Sequence, residues 1–288
     1  MEWKRPLDYC TDWLNKPIPG TTGVLGLVLS VFEEDYLMAS WLKLRSLLES
    51  FATSEQETMI FFRDDDVAED EPSLRRLIDL LRETGVPVNL EIIPGLLTED
   101  CAGYLLLEKD RSPESIELNQ HGWRHVNHEP AGRKCEFGMS RGYAEQFADI
   151  GAGRERLAEM LGASFHPVFT PPWNRFTGET CRALEALGFK ALSALRRATT
   201  IEGYSFPEIS VTLEIIDWKR NRALRPVETL IDELIGQIER RETIGIMLHH
   251  QVMDDDAFDF LRRLLEELRR TDDIRFHTFQ TLLSEKYV

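Results

Sequence analysis

Two short stretches of the chain carry the ligand types of one metal site. Arg63-Asp64-Asp65-Asp66-Val67 ends the apolar run Met59-Ile60-Phe61-Phe62, and His121-Gly122-Trp123-Arg124-His125 sets two histidines four residues apart. Carboxylate oxygen and imidazole nitrogen together suit a divalent ion. The chain holds seven histidines, and five of them fall in two groups, His121/His125/His128 and His249/His250. On a strand, four residues span about 13 Å, too far for one ion. One helical turn brings such a pair to about 5–6 Å between Cβ atoms. The spacing therefore predicts that the chain leaves a strand at His121 and enters a helical turn, which Pro130 keeps short.

The third ligand is open between one of the aspartates and His128, which lies seven residues from His121. Neighbouring strand residues point to opposite faces, so the strand must end or bulge where two aspartates serve one site. A bound cation offsets the repulsion of three adjacent carboxylates; the plain alternative is a solvated acidic loop, since Glu69-Asp70-Glu71 follow. His249 and His250 close the apolar run Ile244-Gly245-Ile246-Met247-Leu248 and are candidates for an acid–base group. Alternation lets only one of them face a cavity. Trp173 and Trp218 each stand beside a polar residue, Asn174 and Asp217, and could line that cavity.

From Thr58 onward, short apolar runs alternate with amphipathic stretches. Strands are expected at Met59–Phe62, Val86–Ile93, Ser115–Leu118, Pro167–Thr170, Ala191–Ala194, Ser210–Ile216 and Ile244–Leu248. Helices are expected at Ser73–Glu83, Thr98–Lys109, Ala144–Leu161, Gly178–Leu187, Val227–Arg241 and Ala257–Arg270. Such βα repetition argues for an α/β fold with a parallel sheet, open or closed into a barrel, whose ligands gather at the C-terminal strand ends. The aspartates, His121, Pro171-Pro172-Trp173-Asn174, Asp217-Trp218 and His249-His250 all follow strand-like runs. Residues 1–57 do not join the alternation. Trp41, Leu42, Leu44, Leu47, Leu48 and Phe51 recur at roughly helical spacing, so a helical N-terminal extension is expected over 1–57 and one barrel-forming domain over 58–288.

The chain has 34 basic and 50 acidic residues and a net charge of −16. Without a basic stripe it is no candidate for nucleic-acid binding. Cys10, Cys101, Cys135 and Cys181 are scattered with no CxxC spacing, as in a reduced, cytoplasmic protein. The longest apolar run, Val24–Phe32, is too short for a membrane span. No Walker loop, GxGxxG or GxSxG elbow is present.

In their order, these motifs resemble those of the NodB-type polysaccharide deacetylases, carbohydrate esterase family four. The resemblance runs from about Thr58 to His250 through Asp65-Asp66, His121 to His125, Thr170-Pro171-Pro172-Trp173-Asn174, Asp217-Trp218 and Met247-Leu248-His249. It implies a distorted (β/α)7 barrel and a metal-dependent hydrolase that removes an N-acetyl or related acyl group from a sugar. It places the catalytic base on Asp65, the metal ligands on Asp66, His121 and His125, and the acid on His249, which Asp217 would orient. Pro172, Trp173, Asn174, Arg175 and Trp218 would contact substrate. The cofactor implied is one divalent ion, Zn²⁺. Val67 stands where the family has a glycine after the aspartates, which leaves Asp64-Asp65 open as the working pair, and Asn174 also replaces a glycine. Thr170 stands in place of the arginine that supports the base, and Arg175 is the candidate replacement. Literal leucine–x–histidine matching selects His250 through Leu248, so the choice between His249 and His250 also stays open. A cytoplasmic place points to a small, lipid-linked or nucleotide-linked acylated amino-sugar. The alternatives are an O-acetyl esterase with the same machinery and a non-catalytic carbohydrate-binding barrel.

Overall fold

The computed structural model describes residues 38–50, 57–196 and 205–286. A helix α1 (38–50) precedes β1 (Thr58–Val67), α2 (Pro72–Thr84), β2 (Val88–Ile92), α3 (Glu99–Arg111), β3 (Ile116–His121) and α4 (Tyr143–Leu161). Next come β4 (Phe165–Thr170), α5 (Gly178–Ala186), β5 (Ala191–Leu195), β6 (Glu208–Val211), β7 (Leu213–Glu214), β8 (Ile216–Asp217) and β9 (Ala223–Leu224). The chain continues through α6 (Val227–Glu239), β10 (Ile244–Leu248), α7 (Asp255–Leu268), β11 (Ile274–Phe276) and α8 (Phe279–Lys286).

The main sheet is parallel, in the order β6-β5-β4-β3-β2-β1-β10-β7, with β11 beside β1. The two ends of that order, β6 and β7, are successive pieces of one strand kinked at Thr212. The sheet therefore curls back on itself as a distorted (β/α) barrel with seven strand positions. The single strand expected over Ser210–Ile216 is in fact β6, β7 and the start of the β8–β9 hairpin. The short elements β11 and α8 were not anticipated.

Alternation sorts each strand into an outer and an inner face. Ile60 and Phe62 of β1 join the outer core with Leu74, Leu77, Ile78 and Leu81 of α2. Those four leucine and isoleucine positions recur at helical spacing and bury one stripe of α2, at about 1.5–3 kcal/mol per side chain. Phe61 points inward and packs with Val168, Ala191, Ile209, Val211 and Met247. Gly245 faces it from β10, and a Cβ there would lie 2.2 Å from the Phe61 ring. Only glycine lets β10 approach this side chain.

The floor of the barrel is a helix. Phe279 of α8 meets Phe61 edge-on at 5.3 Å, and Leu282 packs beside it. The first backbone amides of α8 are satisfied from inside the barrel. Phe279 N–H donates to Asn89 Oδ1 and Gln280 N–H to Glu117 Oε2, each at 2.8 Å. Burial pushes the Glu117 carboxyl up to about 7.

The extension expected over 1–57 lies largely outside the described residues. Within it, α1 buries Trp41, Leu44 and Leu48 against the outer core, with Trp41 5.9 Å from Phe260. Arg45 anchors α1 through an ion pair with the mostly buried Glu267 of α7. Among the described residues no helix is long and apolar enough to cross a membrane.

Candidate metal centre

Strand β1 does not end before the aspartates, as its apolar run suggested. It continues to Val67, with a register break between Asp64 and Val67. That irregularity settles where the three carboxylates go. Asp64 points outward, Asp65 inward, and Asp66 takes a left-handed φ of 69°, which lifts its side chain over the barrel mouth. A bulge of this kind re-aims a side chain at a strand end.

His121 closes β3, but no helical turn follows. The loop from Gly122 instead turns through two left-handed residues, Gly122 (φ 58°) and His125 (φ 57°). At Gly122 a Cβ would also collide with Glu136 Oε2 at 2.2 Å and Pro172 at 2.6 Å, so glycine is required twice over. Glu136 holds the loop by accepting backbone N–H bonds from Trp123, Arg124 and Val126. The result is the closeness that a helix would have given: the His121 and His125 rings lie 5.4 Å apart. His128 is exposed and lies outside the cluster, so the alternative third ligand is set aside.

Asp66, His121 and His125 each aim one ligand atom at a common point, all within 4.8 Å of one another. Both histidine Nε2 atoms are 3.2 Å from Asp66 Oδ1. His121 Nδ1 lies 3.1 Å from the Thr170 carbonyl. A carbonyl only accepts, so Nδ1 carries a proton; in the neutral ring Nε2 keeps the lone pair toward Asp66, and in the charged ring it donates to Asp66. Burial, then the charge of His121, push His125 down to about 4, which keeps its imidazole neutral. Burial opposes ionisation of Asp66, yet the hydrogen bond and charge of His121, with smaller contributions from His125 and His249, outweigh it and hold the carboxyl well below the usual range. Desolvation also disfavours charge on His121, but Asp66 and Asp65 raise its proton affinity. A proton and a metal ion compete for that one position. Three lone-pair donors on one point fit a divalent cation bound with an open coordination site.

Asp65 sits beside this point, inside the mouth and 2% exposed. Its supporting cation is Arg63, not Arg175. Arg63 is wholly buried on the same strand face, with Nη2 donating to Asp65 Oδ2 at 2.8 Å and Nε 2.8 Å from Oδ1. It also donates to Asn174 Oδ1 at 2.8 Å and Ser193 Oγ at 3.1 Å. Arg175 points away and bonds the Lys134 carbonyl at 2.6 Å. The signal was present in the sequence, since period-two alternation puts Phe61, Arg63 and Asp65 on one face.

The late histidines divide as alternation requires. His249 Nε2 is 3.9 Å from Asp65 Oδ2, and its ring meets Trp218 edge-on at 4.7 Å. His250 turns outward and is fully buried against Asp64, with Nδ1 2.6 Å from Oδ2 and its backbone N–H on Oδ1. Asp64 is thereby bound to a buried partner outside the ligand cluster.

Asp217 is not the orienting partner of His249. Its carboxylate caps the β8–β9 turn by accepting from the Lys219 and Arg220 amides. Glu214 stands there instead, with Oε1 3.8 Å from His249 Nδ1 and Oε2 accepting from Trp218 Nε1 at 3.1 Å. Burial raises the Glu214 pKa despite the attraction of His249. The kink between β6 and β7 changes which acid faces inward, and no local sequence signal marks it.

Trp173 and Asn174 follow β4 in a turn with φ 57° and 56°. The Trp173 ring rests 4.4 Å from that of His125, and Pro172 is buried behind Gly122. Of the six non-glycine residues with positive φ among those described, Asp66, His125, Trp173 and Asn174 all border this one mouth. Such backbone costs about 1–3 kcal/mol per residue and collects at functional sites.

Beneath Asp65 lies Glu91, fully buried, accepting from Asn119 Nδ2 at 3.1 Å. Burial is the main cause that pushes it up to about 8, with Asp65 adding repulsion against the attraction of Arg63. Its folded pKa lies above the unfolded value of 4.5. Its contribution to stability is therefore complete below that value and is lost as pH rises through about 8. Glu91→Gln should thus gain on the wild type between those limits, by about 2 kcal/mol at the alkaline end. Urea unfolding at several pH values measures it; a gap independent of pH would refute a buried neutral carboxyl.

No family model matches the sequence, and no curated protein matches it. Solved structures do match. A family 4 acetyl xylan esterase from Clostridium thermocellum, in complex with a cobalt ion, aligns at 15% identity over 80% of this chain and 92% of its own, with a TM-score of 0.54. The Xyl-CE4 domain of a multidomain xylanase from the hindgut metagenome of Trinervitermes trinervoides aligns at 14% identity over 81% and 93%, TM-score 0.55. A protein from Mycobacterium smegmatis designated a polysaccharide deacetylase aligns at 16% identity over 81% and 91%, TM-score 0.59. The chain shares their fold. The distorted (β/α)7 barrel expected from the motif order is the architecture found.

Proposed function

We propose that the protein is a metal-dependent hydrolase that removes an N-acetyl or related acyl group from an amino-sugar. The observation that carries this reading is the convergence of Asp66, His121 and His125 on one point, with Asp65 and His249 beside it at the same barrel mouth. The activity named for the Clostridium thermocellum fold neighbour, an acetyl xylan esterase, and the designation of the Mycobacterium smegmatis one support the same class. When bound, the divalent ion supplies Lewis acidity toward an acyl oxygen and lowers the pKa of water. Zn²⁺ suits two imidazoles and one carboxylate with a position left open.

In this reading Asp65 takes the proton of the attacking water, and Arg63 fixes its carboxylate for the task. His249 gives a proton to the leaving amine, with Glu214 and Trp218 holding its ring. Backbone amides at Trp173 stabilise the developing oxyanion. Arg63 supplies the cation that Thr170 lacks, which weakens the case for a non-catalytic barrel. Cys101 and Cys135 are buried free thiols, in keeping with a cytoplasmic setting and a small, lipid-linked or nucleotide-linked substrate.

Purified protein should carry about one divalent ion, and His125→Ala should lose it. Elemental analysis of both forms, with acetate release from N-acetylated sugars in the same samples, tests the reading. Equal metal content in the variant would remove this ligand set.

A further inference from the structure

We propose that the mouth of the barrel is built for a substrate that carries an anionic group, a phosphate or a carboxylate, beside its acylated amino-sugar. This rests on the deacylase reading above and adds the substrate class.

The chain has a net charge of −16, so exposed cations beside the reaction centre run against its average. Two of them are tied to the site through tryptophans. Lys134 Nζ lies 5.9 Å from the centre of the Trp173 ring, which rests on His125. Arg222 Cζ lies 5.4 Å from the centre of the Trp218 ring, which meets His249. One cation thus stands on the metal-ligand side and the other on the acid side. Each aromatic face orients its cation without neutralising it.

Neither Lys134 nor Arg222 has a carboxylate partner among the described residues. Acids in the same two loops are occupied. Glu136 accepts three backbone amides, Glu129 accepts from Ser140 N–H, and Asp217 caps its own turn. Arg222 also has φ 56°, a left-handed conformation that sets where its side chain leaves the β8–β9 turn. Exposed, unpaired and oriented cations on both sides of a reaction centre attract an anion at little cost in ordering.

The test compares three N-acetylated substrates: a neutral methyl glycoside, the corresponding sugar 1-phosphate, and a disaccharide bearing a uronic acid. Acetate release is measured with wild type and with the Lys134→Gln/Arg222→Gln double variant. The anionic substrates should show kcat/KM about fivefold higher for each cation engaged, the upper range for exposed ion pairs. That preference should shrink as salt rises and fall toward one in the double variant, through KM. A preference for the phosphate alone assigns phosphate, and one for the uronate alone assigns carboxylate. Equal kcat/KM for neutral and anionic substrates in wild type, or a preference unchanged in the double variant, overturns the proposal. If no substrate releases acetate, the deacylase reading fails separately. Calorimetric titration with the sugar 1-phosphate and the uronate disaccharide then decides this one: a binding heat lost in the double variant supports it, and its absence in wild type refutes it.

Discussion

Asp65→Asn should lower kcat by on the order of 10²–10⁴-fold, the usual contribution of a general acid or base. Its metal content should not change, because Asp65 lies beside the ligand cluster and not in it. Asparagine keeps the shape and can still accept from Arg63, so the variant isolates proton transfer. His249→Ala should cause a loss of the same order, again with the ion retained. The pH profile of kcat should be bell-shaped in the wild type and lose one limb in each variant. His250→Ala differs in kind. It strips Asp64 of its buried partner, and breaking such a pair costs about 3–5 kcal/mol. Burial lowers the His250 pKa, but the charge and hydrogen bond of Asp64 outweigh it and raise it above 6.5. The pair's stabilisation is therefore complete below that value and fades as pH rises through the raised one. The stability gap between wild type and His250→Ala should narrow in the same direction, while turnover per folded molecule changes little. Loss of turnover in His250→Ala with His249→Ala active would reverse the two assignments.

The order of the chemistry was legible because few residue types can do it. Carboxylates after an apolar run, a histidine pair and a late histidine mark the strand ends of a parallel barrel, and they stand at one end here. What stayed hidden was set by backbone shape. Nothing in the letters Asp66 and His125 announces a left-handed φ, so the closeness of the two ligands was read as a helical turn. Asp217 and Glu214 are three residues apart, and the kink at Thr212 decides which reaches His249. Arg63 was visible but belonged, by its charge, to the acidic loop that follows it. Its strand register alone reveals it as an interior residue. Glu91 and Asn119 were obscured in the same way, as polar letters that alternate with valine, leucine and isoleucine in β2 and β3.

Arg63→Met should destabilise the protein by about 3–5 kcal/mol, because it leaves a buried carboxylate without its cation. The guanidinium is fully enclosed and serves Asp65, Asn174 and Ser193 at once, so no solvent can take its place. Methionine fills much of the volume, which assigns the loss to charge and hydrogen bonding more than to a cavity. The catalytic effect should be separable from the structural one. Without the cation, ionisation of the neighbouring carboxylates is less favourable, so the acidic limb of the pH–rate profile should move to higher pH in the folded fraction. Arg63→Lys should restore part of the charge but not the bidentate contact to Asp65, giving an intermediate limb and an intermediate stability. The same contacts position Asn174, whose Oδ1 also accepts from the Leu195 amide and joins the Trp173 turn to β5. Loss of Arg63 should therefore raise KM as well as lower kcat. Urea unfolding and pH–rate profiles of the three proteins measure both. A stable Arg63→Met with an unmoved acidic limb would mean that the arginine fills space and does not tune the base.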